Sequence, residues 1–435
     1  MRLARASTCW VSAAVVVLSA LAGCGSNDSH GTHPKVMQSE SAKPSAPSRP
    51  VHDPPATFAT GHSVRLPEQA IAGRLTAGGT LDAPLPVALY KSTAFVATTT
   101  QMQAMDTATG RITATVTPED MPVETGNGWN DTNHADAPLL VTAHGTPTVI
   151  APFVVKQTGT GTQASHTVVE VTGASADTGK AIWHLTLRLP EWATEDDPEA
   201  SVIGADNGIA VIRVSTFHHD HAAAYGIDLN GPRQVWSADK FQASAVTDQT
   251  VAGALLEDDI GIDQRPAGFD LATGKRLWQG PLGDSASADS AGAHQLRVHG
   301  KDYDNGHYDR LADPRTGRTL QTLPADLAGS TCTYDDQSML ICYGMGAASY
   351  VVYGLNPSTG KVAWQLPDKQ ADRIAPEITT AWHGRVYGTT DNGAVALDAR
   401  TGKDLPSPRV APLLVDESAG IVLSDSSLVA YPSSG

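Results

Sequence analysis

Gly268-Phe269-Asp270-Leu271-Ala272-Thr273-Gly274-Lys275-Arg276-Leu277-Trp278 reads as the end of one strand, a tight turn and the start of the next strand. Asp270 can accept hydrogen bonds from backbone N–H groups two or three residues on, which closes the turn. Gly274 supplies a left-handed backbone that a β-carbon would resist. Trp278 falls eight residues after the Asp, inside the following strand, where its ring can cover a neighbouring sheet. The frame recurs along the chain. Ser175 leads to Thr178-Gly179 and Trp183, Asn356 leads to Thr359-Gly360 and Trp364, and Asp228 leads to Trp236 through a degraded turn, Asn230-Gly231. Asp106, Asp313 and Asp398 keep the Thr-Gly, ending at Gly110, Gly317 and Gly402, but place Ala114, Gln321 and Pro406 where the Trp should be. Four of the eight tryptophans therefore share one repeat position. The lead residues 106, 175, 228, 270, 313, 356 and 398 are spaced by 69, 53, 42, 43, 43 and 42 residues, and a period near 42 with this content marks propeller blades.

Between about residue 66 and residue 435 the pattern is one of short β-runs, such as 94–98, 148–155, 209–214, 338–343 and 385–388, broken by Gly, Asp, Asn and Thr. Such runs suit a sheet buried on both faces. No amphipathic helix of useful length interrupts them, so the expected class is all-β and the expected domain a single β-propeller over 66–435. The last stretch, Gly420 to Tyr431, repeats Gly384 to Leu397 and stops where a turn and final strand should follow. Gly73-Arg74-Leu75-Thr76 is similar to Lys275-Arg276-Leu277-Trp278, so the N-terminal segment is expected to complete the last blade and close the ring. Seven frames and one shared blade give eight four-stranded blades, or seven if the 66–110 region is read differently.

The frame Ala/Gly-x-Asp-x-x-Thr-Gly-x-x-x-Trp resembles the tryptophan-docking repeat of pyrroloquinoline-quinone (PQQ)-like β-propellers, and the resemblance covers nearly all of the chain beyond residue 66. That family includes quinoprotein dehydrogenases, the propeller lipoprotein of the Gram-negative outer-membrane barrel-assembly machinery and many exported proteins of unassigned role. The resemblance speaks for fold and says little of function. It implies that Trp183, Trp236, Trp278 and Trp364 wedge between blades and dock on the adjacent turn, and that the junctions at Ala114, Gln321 and Pro406 are weaker.

The chain starts with Arg2 and Arg5, followed by an apolar run from Val11 to Leu21 that is too short to span a bilayer comfortably. Leu21-Ala22-Gly23-Cys24 then resembles the lipobox of bacterial lipoproteins. The resemblance implies a signal peptide at 1–23, removed on export, and acylation of Cys24. Two or more acyl chains hold a protein stably at a membrane. Residues 24–65 are rich in Ser, Pro, Gly and His and are expected to form a disordered tether between the lipidated Cys and the propeller. The expected location is the cell membrane, on its extracytoplasmic side. The formal charge of −16 becomes −18 once Arg2 and Arg5 leave with the leader. Such a chain is a poor partner for nucleic acid and for anionic head groups, so membrane association rests on the lipid anchor alone. Cys332 and Cys342 flank a turn expected at 334–338, where they can face each other on adjacent strands, and are expected to form a disulfide outside the cytoplasm.

In a propeller the A–B and C–D turns share one face, and the B–C and D–A loops share the other. The Asp-Thr-Gly frames are C–D turns. The long connections (157–166, 215–221, 257–265, 301–307, 117–137 and 189–200) all belong to the opposite face, where function is expected. The binding-face candidates are Trp129, Asp131, His134, His218, His219, His221, Asp258 and Asp259. His218, Asp220 and His221 are the best metal candidates, although one short loop rarely supplies a complete site. Asp302-Tyr303-Asp304-Asn305-Gly306 lacks the remaining calcium-loop ligands and reads as a hairpin turn. No nucleophile elbow, zinc-protease helix or phosphate loop is present. Two main readings follow: a membrane-anchored, non-catalytic binding or scaffold module for a protein partner at the cell envelope, expected as a monomer without cofactor, or a PQQ-dependent dehydrogenase. The first is favoured, because the adjacent cysteine pair of that dehydrogenase family is missing. A metal or redox accessory role for the His218–His221 loop is a third reading.

Overall fold

Strand content follows the burial each run can achieve. The central strands Ala222–Asp228 and Thr250–Leu256 are buried along almost their whole length, on both faces of their sheet, which explains their unbroken runs of small and apolar residues. Arg233–Asp239, at an outer edge, is exposed or half-buried along its length except at Trp236, which is buried. In this computed structural model the described residues are 51–71, 84–123, 135–195, 198–216, 220–327, 329–346 and 349–435. Their strands form antiparallel units of four at 87–116, 139–187, 199–239, 241–279, 283–322, 331–366 and 377–405, with an eighth at 414–432 completed by Val64–Arg65. We number these blades 1 to 8 in chain order. Blades 4 and 5 are joined into one eight-stranded sheet by the pair Gln264–Gly283. Blade 2 has the longest strands, Thr146–Gln157 and His166–Ser175, and gains a two-residue strand, Met121–Pro122, which pairs with Val155 and Lys156 of Thr146–Gln157. The fold is an all-β propeller of the expected class.

Each blade packs face to face on the next. Phe95 with Val149, Val171 with Val214, Val211 with Val251, Ala252 with Val298, Leu311 with Leu340, and Ile341 with Val386 share buried clusters across successive junctions. Tyr387 and Val415 join blade 7 to blade 8, and Ile421 and Val96 join blade 8 back to blade 1. Burying each of the Val, Leu, Ile and Phe side chains among them is worth about 1.5–3 kcal/mol, so the fold rests on these junctions.

The N-terminal segment differs from expectation in two ways. The strand that completes blade 8 is Val64–Arg65, paired with Ala430 and Val429, whereas residues 73–76 lie outside the described residues. Residues 51–65, expected as the end of a solvated tether, are packed on the propeller. Phe58 is fully buried against Tyr387 (ring centroids 6.2 Å apart) and clusters with Val415. The Tyr387 hydroxyl donates to the Pro55 carbonyl at 2.6 Å, and Trp382 Nε1 donates to Asp53 at 3.1 Å. The His383 ring nitrogen Nδ1 lies 2.5 Å from Asp53. The Ser/Pro/His-rich composition conceals this because Phe58 is the one large aromatic side chain of 51–65, and these hydrogen bonds run through Asp53 and the Pro55 carbonyl. Arg49–Gly435 forms one compact unit. Cys24 lies outside the described residues. No helix among the described residues is long and apolar enough to cross a membrane. Cys332 and Cys342 are directly paired on neighbouring strands of blade 6 and are linked as a disulfide.

Candidate binding face and the turns opposite

The repeat turns are built as their sequence suggests. Thr273 donates to Asp270 Oδ1 from both its backbone N–H (3.0 Å) and its hydroxyl (2.7 Å), and the Gly274 N–H donates to the Asp270 carbonyl at 2.8 Å. The same double contact holds Thr316 on Asp313 and Thr401 on Asp398. Gly110, Gly179, Gly274, Gly317, Gly360 and Gly402 all have φ between +63° and +71°. These turns dock the tryptophans of the preceding blade. Nε1 of Trp236, Trp278 and Trp364 donates at 2.7 Å to the carbonyl of Leu271, Pro314 and Ala399, each the residue after the lead Asp of the next blade. A β-carbon on Gly274 would come within 2.7 Å of the Trp236 ring, so the glycine serves the docked ring as well as the turn.

Trp183 departs from this pattern. Its buried Nε1 has no partner among the described residues. The next turn starts at Asp228, and the position equivalent to Gly274 is Pro232, with Gly231 one residue early. Proline fixes φ near −65° where the other turns need a positive value, so this turn takes another path and its carbonyl does not receive the indole. Asn230 of this turn instead accepts the backbone N–H of His144 in blade 2 at 2.9 Å. Asp228 is ion-paired with Arg233 at 2.8 Å. Where tryptophan is absent, Ala104 and Ala114 approach Gly179, and Gln321 lies against Gly360.

The opposite face carries the long connections. The four-residue helix Trp192–Glu195 lies in the 188–198 loop. Trp192 stacks on the His221 ring with centroids 5.5 Å apart, and its Nε1 approaches Asp239 at 3.5 Å. Lys240 pairs with Asp259 at 2.6 Å, which holds that carboxyl below its ordinary range. Asp258 accepts the N–H groups of Ile262 and Asp263 at 3.1 and 3.2 Å and so shapes its own loop. The Tyr303 hydroxyl donates to Asp263 at 2.6 Å, and this hydrogen bond leads the causes that push the phenol up to about 12. Connections from blades 2 to 5 thus touch in sequence. The hairpin at Asp302–Gly306 is as expected: the Asp304 N–H donates to Asp302 at 3.0 Å and Gly306 has φ +78°.

Of the sequence-predicted binding residues, Trp129, Asp131, His134, His218 and His219 lie outside the described residues. His221, Asp258 and Asp259 lie together on the loop face. Asp220 accepts from the Thr216 hydroxyl and from the His221 N–H, while the His221 ring turns to Trp192, so these two metal candidates serve separate contacts. The described residues contain no group of three or more metal-ligating side chains. Sequence reasoning missed Trp192, Ile260, Ile262 and Tyr303, although Ile-Gly-Ile at the tip of an acidic loop is an uncompensated apolar signal. The face of tight turns is not featureless. A cavity of about 540 Å³ lies there, lined by His294, Gln295, Tyr334, Gln337, Asn356 and Arg400 among others.

Residues 64–280 match the family model described as outer membrane protein assembly factor BamB. No curated protein matches the chain. Among solved structures, BamB from Moraxella catarrhalis is similar over 87% of this chain and 99% of its own, with 15% identity and a TM-score of 0.47. A europium-containing methanol dehydrogenase is similar over 80% of this chain and 83% of its own, with 12% identity and a TM-score of 0.45. The Dos1 propeller is similar over 78% and 89%, with 10% identity and a TM-score of 0.44. The repeat, its docked tryptophans and the family match together make this chain a PQQ-like β-propeller protein that resembles BamB.

Proposed function

We propose that this chain is an exported, lipid-anchored protein whose propeller acts as a non-catalytic binding module, with the B–C and D–A loops as its working face and a protein of the cell envelope as its partner. Cys24 is the anchor, and no cofactor is needed. One observation carries the reading. Among the described residues, six of the seven large apolar side chains at least 55% exposed (Ile260, Ile262, Tyr303, Met345, Ile374 and Met121) sit on loops or strand ends of that one face; the seventh, Val51, is in the N-terminal strap beside the A–B turn of blade 8. Apolar side chains left in water together on one side of a rigid scaffold are the signature of a surface that is covered in use. The match to a family named for membrane-protein assembly agrees with such a role.

The test is quantitative affinity purification from native membranes with paired variants. Ile260→Ser with Ile262→Ser should reduce recovery of the bound partner while the melting temperature holds. Thr273→Ala, in a turn on the other face, should lower stability and leave recovery from folded protein unchanged. Loss of the partner from folded Thr273→Ala, with normal recovery by the isoleucine variant, would assign the work to the wrong face. Incubation with PQQ and calcium should give neither a bound quinone spectrum nor dye reduction with alcohols or sugars.

A further inference from the structure

The loop face of blades 3 to 5 combines apolar tips with an excess of negative charge. Ile260 and Ile262 are 66% and 55% exposed, on either side of Gly261, and Tyr303 on the adjoining connection is 55% exposed. The Tyr303–Asp263 hydrogen bond at 2.6 Å ties the two connections into one surface. Among the described residues, Lys240, Arg265 and Lys301 of these connections are each paired with a carboxylate, Asp259, Glu257 and Asp284 respectively, at 2.6–2.8 Å, and the other basic groups near them are His221, His307 and, in the preceding loop, Arg188. Asp220, Asp239, Asp258, Asp263, Asp302 and Asp304 form no ion pair with a Lys or Arg among the described residues. Asp239 and Asp304 are exposed and Asp220, Asp258 and Asp263 half-buried, whereas Asp302 is buried and shapes its own turn; the N–H and O–H groups that these carboxylates accept satisfy their oxygens without cancelling their charge.

Either feature alone would be unselective. Exposed carboxylates attract any cation, and exposed isoleucines adhere to any apolar surface. A band that offers both within neighbouring loops fits a segment that carries both. We infer that this surface docks a Lys- or Arg-rich amphipathic segment of a protein partner, with its apolar side chains on Ile260, Ile262 and Tyr303 and its cations against the surrounding carboxylates. The apolar contact sets residence time, and the charge speeds encounter and makes binding salt-sensitive. The inference rests on the binding-module reading and names the chemistry of its partner.

The test uses the intact exported protein in neutral detergent and a helical peptide of about 14 residues with Leu on one face and Lys on the other. One control peptide replaces Leu with Ser, and another replaces Lys with Glu. The Lys/Leu peptide should bind most tightly, and binding should weaken as salt rises. Ile260→Ser with Ile262→Ser should weaken it by about tenfold. Asp239→Lys with Asp304→Lys should weaken it comparably and flatten its salt dependence. Ile182→Ser, which removes a 52% exposed isoleucine from the outer rim, should change nothing. Equal binding by wild type and both loop variants, an equal loss in Ile182→Ser, or equal affinity for either control peptide would overturn the inference. Failure of the peptide while the native partner still depends on Ile260 and Ile262 would reject the basic segment and leave the binding module standing. Capture of the native partner that ignores both isoleucines would reject the module reading itself.

Discussion

Trp278 is held from two sides: Gly268 of its own blade lies opposite it in register, and Gly317 and the Pro314 carbonyl of the next blade receive it. Cutting Trp278 to Ala should cost about 3–5 kcal/mol, read by denaturant melts. A finer comparison separates ring packing from the indole hydrogen bond. Trp278→Phe should lose about 1 kcal/mol more than Trp183→Phe, because only Trp278 gives up a bonded N–H. Equal losses would mean that the Trp183 indole finds a partner in solution. Gly268→Ala should destabilise as well, since its β-carbon would fall 2.2 Å from Trp278 Nε1. Most of this was legible in the sequence, since Asp, Thr, Gly and Trp recur at fixed offsets. The frame treats the position two before the lead residue as Ala or Gly alike, and the structure separates them. Glycine stands there where the tryptophan follows (Gly173, Gly226, Gly268, Gly354), and Ala104, Leu311 and Ala396 stand there where it does not.

At the scale of the element, the A–B turn of blade 8 contains a carboxylate out of balance with its surroundings. Burial pushes the Asp416 carboxyl up to about 7, against the N–H groups of Ser418 and Ala419 that favour its ionised form. An acid whose folded value is raised binds more protons folded than unfolded between the ordinary carboxylate range and about pH 7. Its contribution is therefore fully present below that range and is lost as pH rises through about 7. Thermal melts should show Asp416→Asn flattening this part of the stability profile relative to wild type, whereas parallel profiles would show that Asp416 is already solvated. The N-terminal strap makes a second prediction. Deleting 51–65 removes Phe58 and the strand that completes blade 8, and should lower the melting temperature far more than deleting 26–45. Cutting Phe58 to Ala alone should cost about 3–5 kcal/mol. Matching melts for the two deletions would contradict the role given to the strap. The sequence announced that the last blade lacked a strand, because the 420–431 repeat ends early. It did not identify the donor, because Val64–Arg65 is only two residues long and carries no repeat residue to mark it.

Across the described residues, the tight turns and docked tryptophans sit on one side and all but one of the most exposed apolar tips on the other, Val51 of the N-terminal strap being the exception. The division into faces was legible from loop lengths once the strand–turn–strand frame was assigned to the C–D turns. Which loop residues meet was not, because contacts such as Trp192 on His221 or Tyr303 on Asp263 join different blades and leave no periodic trace. Anchoring has its own check. Cys24→Ser should shift the protein from the membrane fraction to the soluble one after export, and retention on membranes would remove the lipid from the account. The central claim, that partners are met on the loop face, is tested most directly by placing a photo-crosslinking residue in live cells at Ile262 on that face and, separately, at Ala272 in the exposed turn opposite. The account predicts a discrete protein adduct from position 262 and none from 272. An adduct from 272 alone would contradict it.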